Sequence, residues 1–206
     1  MKRRDVMAAA AGSLAGLAAG GASAESGLLV GSLGAQWKRA ALNLGVEFRS
    51  IEQPDKSWIV KWSNQGVFGV RGGIEMPMAE MPSIEGLRLA VMHEPLPVGH
   101  YLIHRFLTRP FKFTDEDKDE FHKISVSFEI QPGRVTYLGE LVTWMSSGVD
   151  LPFGLVAPTG MMLTLRDECA RDLRVLRAHG VAVSDETPLR VAWLDGDTPE
   201  RIKRVP

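Results

Sequence analysis

The run Ile124-Ser125-Val126-Ser127-Phe128-Glu129-Ile130-Gln131 alternates apolar and polar residues without a break. Period two fits a strand with one buried and one wet face, and it does not fit a helix. Pro132-Gly133 follows. Proline presets φ at the second position of a turn, and glycine takes the positive φ that a type II turn needs at the third. Val135–Trp144 then resumes as a strand that is apolar on both faces, with Val135, Tyr137 and Leu141 on one side and Leu138, Val142 and Trp144 on the other. Such a strand is central or covered by another layer. Gly139 in its interior suggests a bulge or a close backbone approach. The stretch Lys123–Trp144 therefore reads as a hairpin in a core sheet, a piece of scaffold with its Ser/Glu/Gln face in water.

The rest of the chain follows the same rhythm. Gly27–Leu33, Leu44–Ile51, Ser57–Ser63 and Gly86–His93 carry strand patterns, and Leu96–Phe106 reads as a turn leading into a strand. Met161–Leu165 and Leu189–Leu194 are shorter candidates. Strands at this spacing, with Gly and Pro between them, predict a sandwich or barrel. One amphipathic helix is expected over Leu165–Ala178, with Leu165, Cys169, Leu173 and Leu176 on its apolar face and arginines and acids opposite. Thr164-x-x-Asp167 resembles a capping signature, and His179-Gly180 supplies C-terminal cap chemistry. The helix is expected to pack on a sheet or to cover an open edge.

The first residues belong to a different problem. Lys2, Arg3 and Arg4 precede an Ala/Gly-rich, weakly apolar stretch that ends in Ala22-Ser23-Ala24. That is the three-part pattern of a secretory signal cleaved after Ala24. The stretch is too poor in large apolar residues to read as a membrane anchor. Arg3-Arg4-Asp5-Val6-Met7 is similar to the twin-arginine export signal, with general secretion as the alternative. The reading is thus an export signal over 1–24, a single domain over 25–206, and a periplasmic or secreted location. Loss of Lys2, Arg3, Arg4 and Asp5 with the signal takes the formal charge from −1 to −3. No basic stripe with interleaved aromatics is present, which argues against a nucleic-acid partner. Cys169 is the only cysteine, so the chain has no internal disulfide, and a buried thiol on a helix face is the expected reading.

"LPVGHYLIHRF", followed by "FEIQPGRVTYLGEL", resembles a pattern in small exported bacterial proteins of unknown function. In those, a Leu-Pro-x-Gly-x-Tyr strand leads through a variable loop to a strand ending in Pro-Gly and then Tyr-x-Gly. The matching residues are Leu96, Pro97, Gly99, Tyr101, Pro132, Gly133, Tyr137 and Gly139. The resemblance implies a prealbumin-type or carboxypeptidase-regulatory-type β-sandwich. It implies accessory or binding roles and brings no catalytic residues with it.

Several motifs bear on chemistry. Met76, Met78 and Met81 form a Met-x-Met-x-x-Met cluster interleaved with Pro77 and closed by Pro82. Thioethers are soft ligands that suit Cu(I). In an extended segment Met76 and Met78 point the same way, Met81 folds back at Pro82, and Met92-His93 adds ligands. The competing reading is a loop whose methionines pack on the sheet as flexible filler. His100 and His104 are spaced i, i+4, but Pro97 and Gly99 favour a strand. There their Cα atoms stand about 13 Å apart, too far to share one metal unaided. Asp115, Asp117 and Asp119 begin like a calcium loop, but Glu120 occupies the glycine position and Val126 the bidentate glutamate position. Ser146-Ser147-Gly148 reads as a loop without an evident base, and no Gly-x-Ser-x-Gly, His-Glu-x-x-His or Cys-x-x-Cys occurs.

The sequence therefore predicts a mainly β protein, an antiparallel prealbumin-like β-sandwich with one C-terminal amphipathic helix. The expected function is a non-enzymatic module that binds a protein or surface partner in the cell envelope, with no cofactor; surface-exposed Trp or Tyr would support it. The alternatives are a periplasmic copper-binding protein using Met76, Met78 and Met81, and a hydrolase whose site assembles from distant segments.

Overall fold

The computed structural model describes residues 25–36, 42–64, 70–71, 73–110, 120–150, 156–194 and 202–204. The export signal, with Arg3, Arg4, Ala22 and Ala24, and the acidic run Asp115–Asp119 lie outside the described residues.

The chain is mainly β, with two sheets and one α-helix among the described residues. Sheet A contains β1 (Ser26–Gln36), β5 (Ile74–Glu75), β6 (Leu87–Pro97), β9 (Val135–Asp150), β10 (Val156–Arg166), β11 (Leu189–Arg190) and β12 (Ile202–Arg204). Its order is β12-β10-β9-β1-β6-β5, with β11 beside the start of β9. Sheet B contains β2 (Leu42–Ser50), β3 (Ser57–Asn64), β4 (Val70–Arg71), β7 (Gly99–Pro110) and β8 (Glu120–Ile130), in the order β4-β3-β2-β7-β8. Antiparallel pairs alternate between sheets along the chain: β2–β3 in B, β5–β6 in A, β7–β8 in B, β9–β10 in A. β1 sits between the two halves of sheet A, antiparallel to β6 and parallel to β9. Helix α1 (Cys169–Ala178) lies over β1 and β6. The two sheets and the helix contribute to one hydrophobic core.

The Lys123–Trp144 stretch is two strands and a turn as expected, but it is not a hairpin. β8 pairs with β7 in sheet B, and β9 pairs with β1 and β10 in sheet A. Gly133, at φ +65, carries the chain across from one sheet to the other. Its N–H donates to the Ser26 carbonyl at 2.9 Å, and Leu28 N–H donates to the Arg134 carbonyl at 2.9 Å, so the crossing rests on β1. The alternation itself holds: Ile124, Val126, Phe128 and Ile130 are buried, and Ser125, Ser127 and Glu129 are exposed. The second crossing, β6 to β7, uses Val98 alone. There the Tyr101 hydroxyl donates to the Pro97 carbonyl at 2.7 Å, and its ring packs with Phe48, Trp58 and Phe128.

β6 is longer than its sequence suggested. The Gly86–His93 pattern stops short of Pro95 and Pro97, residues that give a ladder no donor. Both prolines sit on the free side of the strand. Opposite them, Leu28 and Ser26 direct their N–H and C=O to Arg134 and Gly133, away from β6. On the outward side of β6 the Leu89 carbonyl accepts from Met76 N–H at 2.9 Å, which confirms the direction of the odd-numbered positions. No internal hydrogen bond is lost, and strand addition at 95 and 97 is blocked.

The helix is shorter than expected at its start. Leu165 and Arg166 end β10, and Glu168 is the N-cap without a side-chain cap bond. Thr164 is no capping residue: it lies in β10, accepts from Trp144 Nε1 at 2.6 Å and donates to the Val142 carbonyl. The C-terminal reading holds. Gly180 takes φ +77, Val181 N–H donates to the Leu176 carbonyl and Gly180 N–H to the Arg177 carbonyl, a Schellman closure. Two further readings are corrected. Ser146–Gly148 lies within β9 and not in a loop. In Leu189–Leu194 only Leu189–Arg190 is strand, and Ala192–Leu194 is a short 3-10 turn whose Trp193 is fully buried and donates to the Leu138 carbonyl at 2.6 Å.

Gly139 fulfils both expectations placed on it. The β1–β9 register gains one residue on β9 between Val30↔Tyr137 and Ser32↔Glu140. The bulge places Tyr137 and Glu140 on one face, where period two would have opposed them. A Cβ at Gly139 would stand 2.6 Å from Leu165 Cδ1, at φ +108. Gly139→Ala is expected to destabilise the fold by about 3 kcal/mol through backbone strain and overpacking. Chemical denaturation checks this, with a lowered midpoint at unchanged m-value as the expected result.

Candidate functional site

A cleft of about 530 Å³ opens where the sheets part, between β3 and β6. Ile59, Val60 and Lys61 line one wall, Met92, His93 and Glu94 the other, and Gly73 closes one end. The volume falls within the range of small-ligand and side-chain pockets. Its walls combine apolar surface from Ile59, Val60 and Met92 with three ionisable side chains. Ile59 is 41% exposed, large for an isoleucine on a strand. Burial pushes the Glu94 carboxyl above its usual range, with His93 opposing that shift. Gly73 is shaped by its neighbour, since a Cβ there would lie 2.6 Å from Met92 Sδ, at φ +131.

Among the described residues, the longer unpaired backbone edge beside this cleft belongs to β3. β4 pairs with β3 at Ser63 and Asn64 alone, so among the described residues Ser57–Trp62 has no strand partner on the side away from β2. On the facing wall, Pro95 and Pro97 close the edge of β6 just beyond Glu94. The cleft therefore offers an extended segment hydrogen-bonding groups from β3 and side-chain surface from both walls.

The methionine cluster does not converge. Met76 is buried at 3% exposure, Met78 is 81% exposed, and Met81 is half-buried against the core. The expectation that Met76 and Met78 point the same way fails because the strand ends at Glu75. Glu80 N–H to the Pro77 carbonyl and Met81 N–H to the Met78 carbonyl then turn the segment. Met92 is buried and His93 exposed, on the far side of β5. The turn is fixed to the helix by a bidentate pair, Arg174 Nη2 and Nε to Glu80 at 2.7 and 3.1 Å, and Arg174 holds the Glu80 carboxyl below its usual range.

His100 and His104 lie on β7, and each has its own glutamate. His100 Nδ1 is 2.8 Å from Glu52 Oε1, while the His100 backbone N–H donates to the same carboxylate. His104, at a bulge in β7, places Nε2 3.5 Å from Glu47, and its Nδ1 is buried without a hydrogen-bond partner. Ser32 and Ser50 hydrogen-bond to Asp172 and Glu52 and not to a histidine, so neither forms a hydrolase nucleophile–base pair. Cys169 is buried at the first turn of α1, and burial pushes its thiol up to about 11, far from a reactive thiolate.

Arg171 and Asp172 were expected on the wet face of α1. They are buried, at 8% and 0% exposure, with Glu140 at 2%. Glu140 was the available signal, an acid in a strand whose neighbours are apolar on both faces. Among the described side chains, Tyr101, Tyr137 and Trp193 are buried and Trp58 and Trp144 half-buried, so the exposed Trp or Tyr that would support partner binding is not among them; Trp37 and the side chain of Trp62 lie outside the described residues.

No protein-family model matches the chain, and no curated protein matches it. Among solved structures, a leucine-rich repeat protein from Bacteroides thetaiotaomicron is similar over 55% of this chain, with 12% identity and a TM-score of 0.27. This chain spans 13% of that protein's length. A likeness at that level carries no argument about fold or function.

The His100 clamp gives a direct test. The Glu52 carboxyl is held down to about 2, first by the His100 ring, then by its backbone N–H. The contribution of this contact is present above the ordinary carboxylate range and is lost as pH falls through about 2. A carbon-detected NMR titration is expected to place the Glu52 midpoint near that value, and His100→Ala is expected to raise it. An unmoved midpoint would assign the shift to the backbone N–H and Ser50 instead.

Proposed function

We propose that this chain is a non-enzymatic β-sandwich module of the cell envelope, exported by its first 24 residues, that binds a protein partner in the β3–β6 cleft. The observation that carries the reading is the open edge of β3 beside a part-apolar, part-charged cleft, facing an edge closed by prolines. An extended partner segment adds to β3 by main-chain hydrogen bonds and places alternate side chains over Val60 and Met92. Lys61, His93 and Glu94 provide charge selection at the mouth. The Leu96–Tyr101 and Pro132–Gly139 patterns support a prealbumin-like arrangement. In this reading they are structural: both mark crossings between the sheets.

The test is site-specific photocrosslinking in cells. A photoreactive residue at Ile59 or Lys61 is expected to yield one discrete adduct with an envelope protein, and the same residue at Ser125 or Ser127, on β8, none. The paired surface change Ile59→Asp with Lys61→Glu is expected to weaken binding of the identified partner at least about tenfold, as loss of a central contact does. Adducts of equal yield at all four positions, or an unchanged affinity in the double variant, would overturn the reading.

A further inference from the structure

Two carboxylates and one guanidinium meet where α1 lies on sheet A. Asp172 and Arg171 come from the helix and Glu140 from β9, and all three are more than nine-tenths buried. From β9 the Tyr137 hydroxyl donates to Asp172 Oδ2 at 2.9 Å, and from β1 the Ser32 hydroxyl donates to the same oxygen. Arg171 donates to Asp172 Oδ1 through Nε at 3.0 Å and Nη2 at 2.7 Å. Glu168 stands at the rim, 4.0 Å from Arg171. Cys169 is the helix's other nearby titratable group, Arg166 pairs with Glu140 in the β9–β10 ladder, and Glu80 on the adjoining turn is occupied by Arg174.

The donors are shared unequally. Asp172 accepts four hydrogen bonds, whereas Glu140 faces the same guanidinium, with Arg171 Nη2 2.8 Å from its Oε2. Four donors favour the anion at Asp172, whereas Glu140 shares its cation with that anion, so burial weighs more heavily on Glu140. We propose that Glu140 holds a proton while α1 is docked, and that loss of this proton loosens α1 from sheet A. The helix is thereby a pH-responsive latch. With the proton, the buried cluster carries one anion and one cation. Without it, a second buried anion faces the same guanidinium.

The direction follows from linkage. Burial raises the Glu140 carboxyl above its usual value, and raises Asp172 as well against the Arg171, Ser32 and Tyr137 donors that oppose it. The helix is therefore held fully below the ordinary carboxylate range and progressively less as pH rises through the folded-state value. While one proton leaves on opening, the opening constant rises about tenfold per pH unit.

Cys169, the only thiol, is buried under α1 and reports its opening. Its labelling by a thiol reagent is measured from about pH 5 to about pH 9 and divided by the rate for the denatured chain at each pH, which removes thiol ionisation. The expected protection falls about tenfold per unit over part of this range. Glu140→Gln is expected to abolish that slope, and Tyr137→Phe, which leaves the charge count intact, to keep it. A flat wild-type profile, or an unchanged slope in Glu140→Gln, overturns the proposal. Should Glu140→Gln fail to fold, infrared spectroscopy of the wild type decides: a protonated-carboxyl band that persists above the ordinary carboxylate range is expected, and its absence overturns the proposal.

Discussion

The contact on which the helix layer depends is the one between Asp172 and the hydroxyls of Ser32 and Tyr137. It joins α1 to β1 and β9, the two central strands of sheet A, at a depth that water does not reach. An unpaired charge at that depth would be strongly destabilising, so Arg171 accompanies it. The sheet must bring the Tyr137 and Glu140 side chains to the same face, and the Gly139 bulge is how it does so. One glycine, through its φ and its missing Cβ, thus decides whether the helix has a binding face.

The rest of the scaffold is a sequence of antiparallel pairs laid down on alternate sheets. The crossings are short, a single Val98 in one case and a Pro-Gly turn in the other. Each is tied to a neighbour, the first by the Tyr101 hydroxyl and the second by hydrogen bonds to the start of β1. Short crossings leave the sheets little freedom to slide, and the aromatic cluster of Phe48, Trp58, Tyr101 and Phe128 fills the interior beside the first. The cleft lies where this economy ends, beside β3, whose outer edge is bridged among the described residues at Ser63 and Asn64.

Much of the strand content was legible because burial and period two coincide. Ile124–Ile130 showed its buried face outright, and Val135–Trp144 showed that it was covered on both sides. The pairing partners were not legible. A turn of Pro-Gly specifies a reversal of direction but does not say whether the next strand joins the same sheet. The prolines of β6 were not legible as strand for a related reason: a missing donor matters only on the side where a partner waits, and sequence does not reveal that side. Arg171 and Asp172 were assigned to water because charge is usually there. Their burial depends on Ser32, Tyr137 and Glu140, residues from 31 to 140 positions away. The cleft is of the same kind, since β3 and β6 are brought together only by the closing of two sheets.

The prolines of β6 also shape what mutation can do here. Positions 95 and 97 give no hydrogen bond to β1, and the one that Pro97 accepts from the Tyr101 hydroxyl goes to its carbonyl, which any residue would supply. Any replacement would nevertheless restore an outward N–H on a regular strand. The two prolines therefore bear on what the strand edge can meet more than on whether the chain folds.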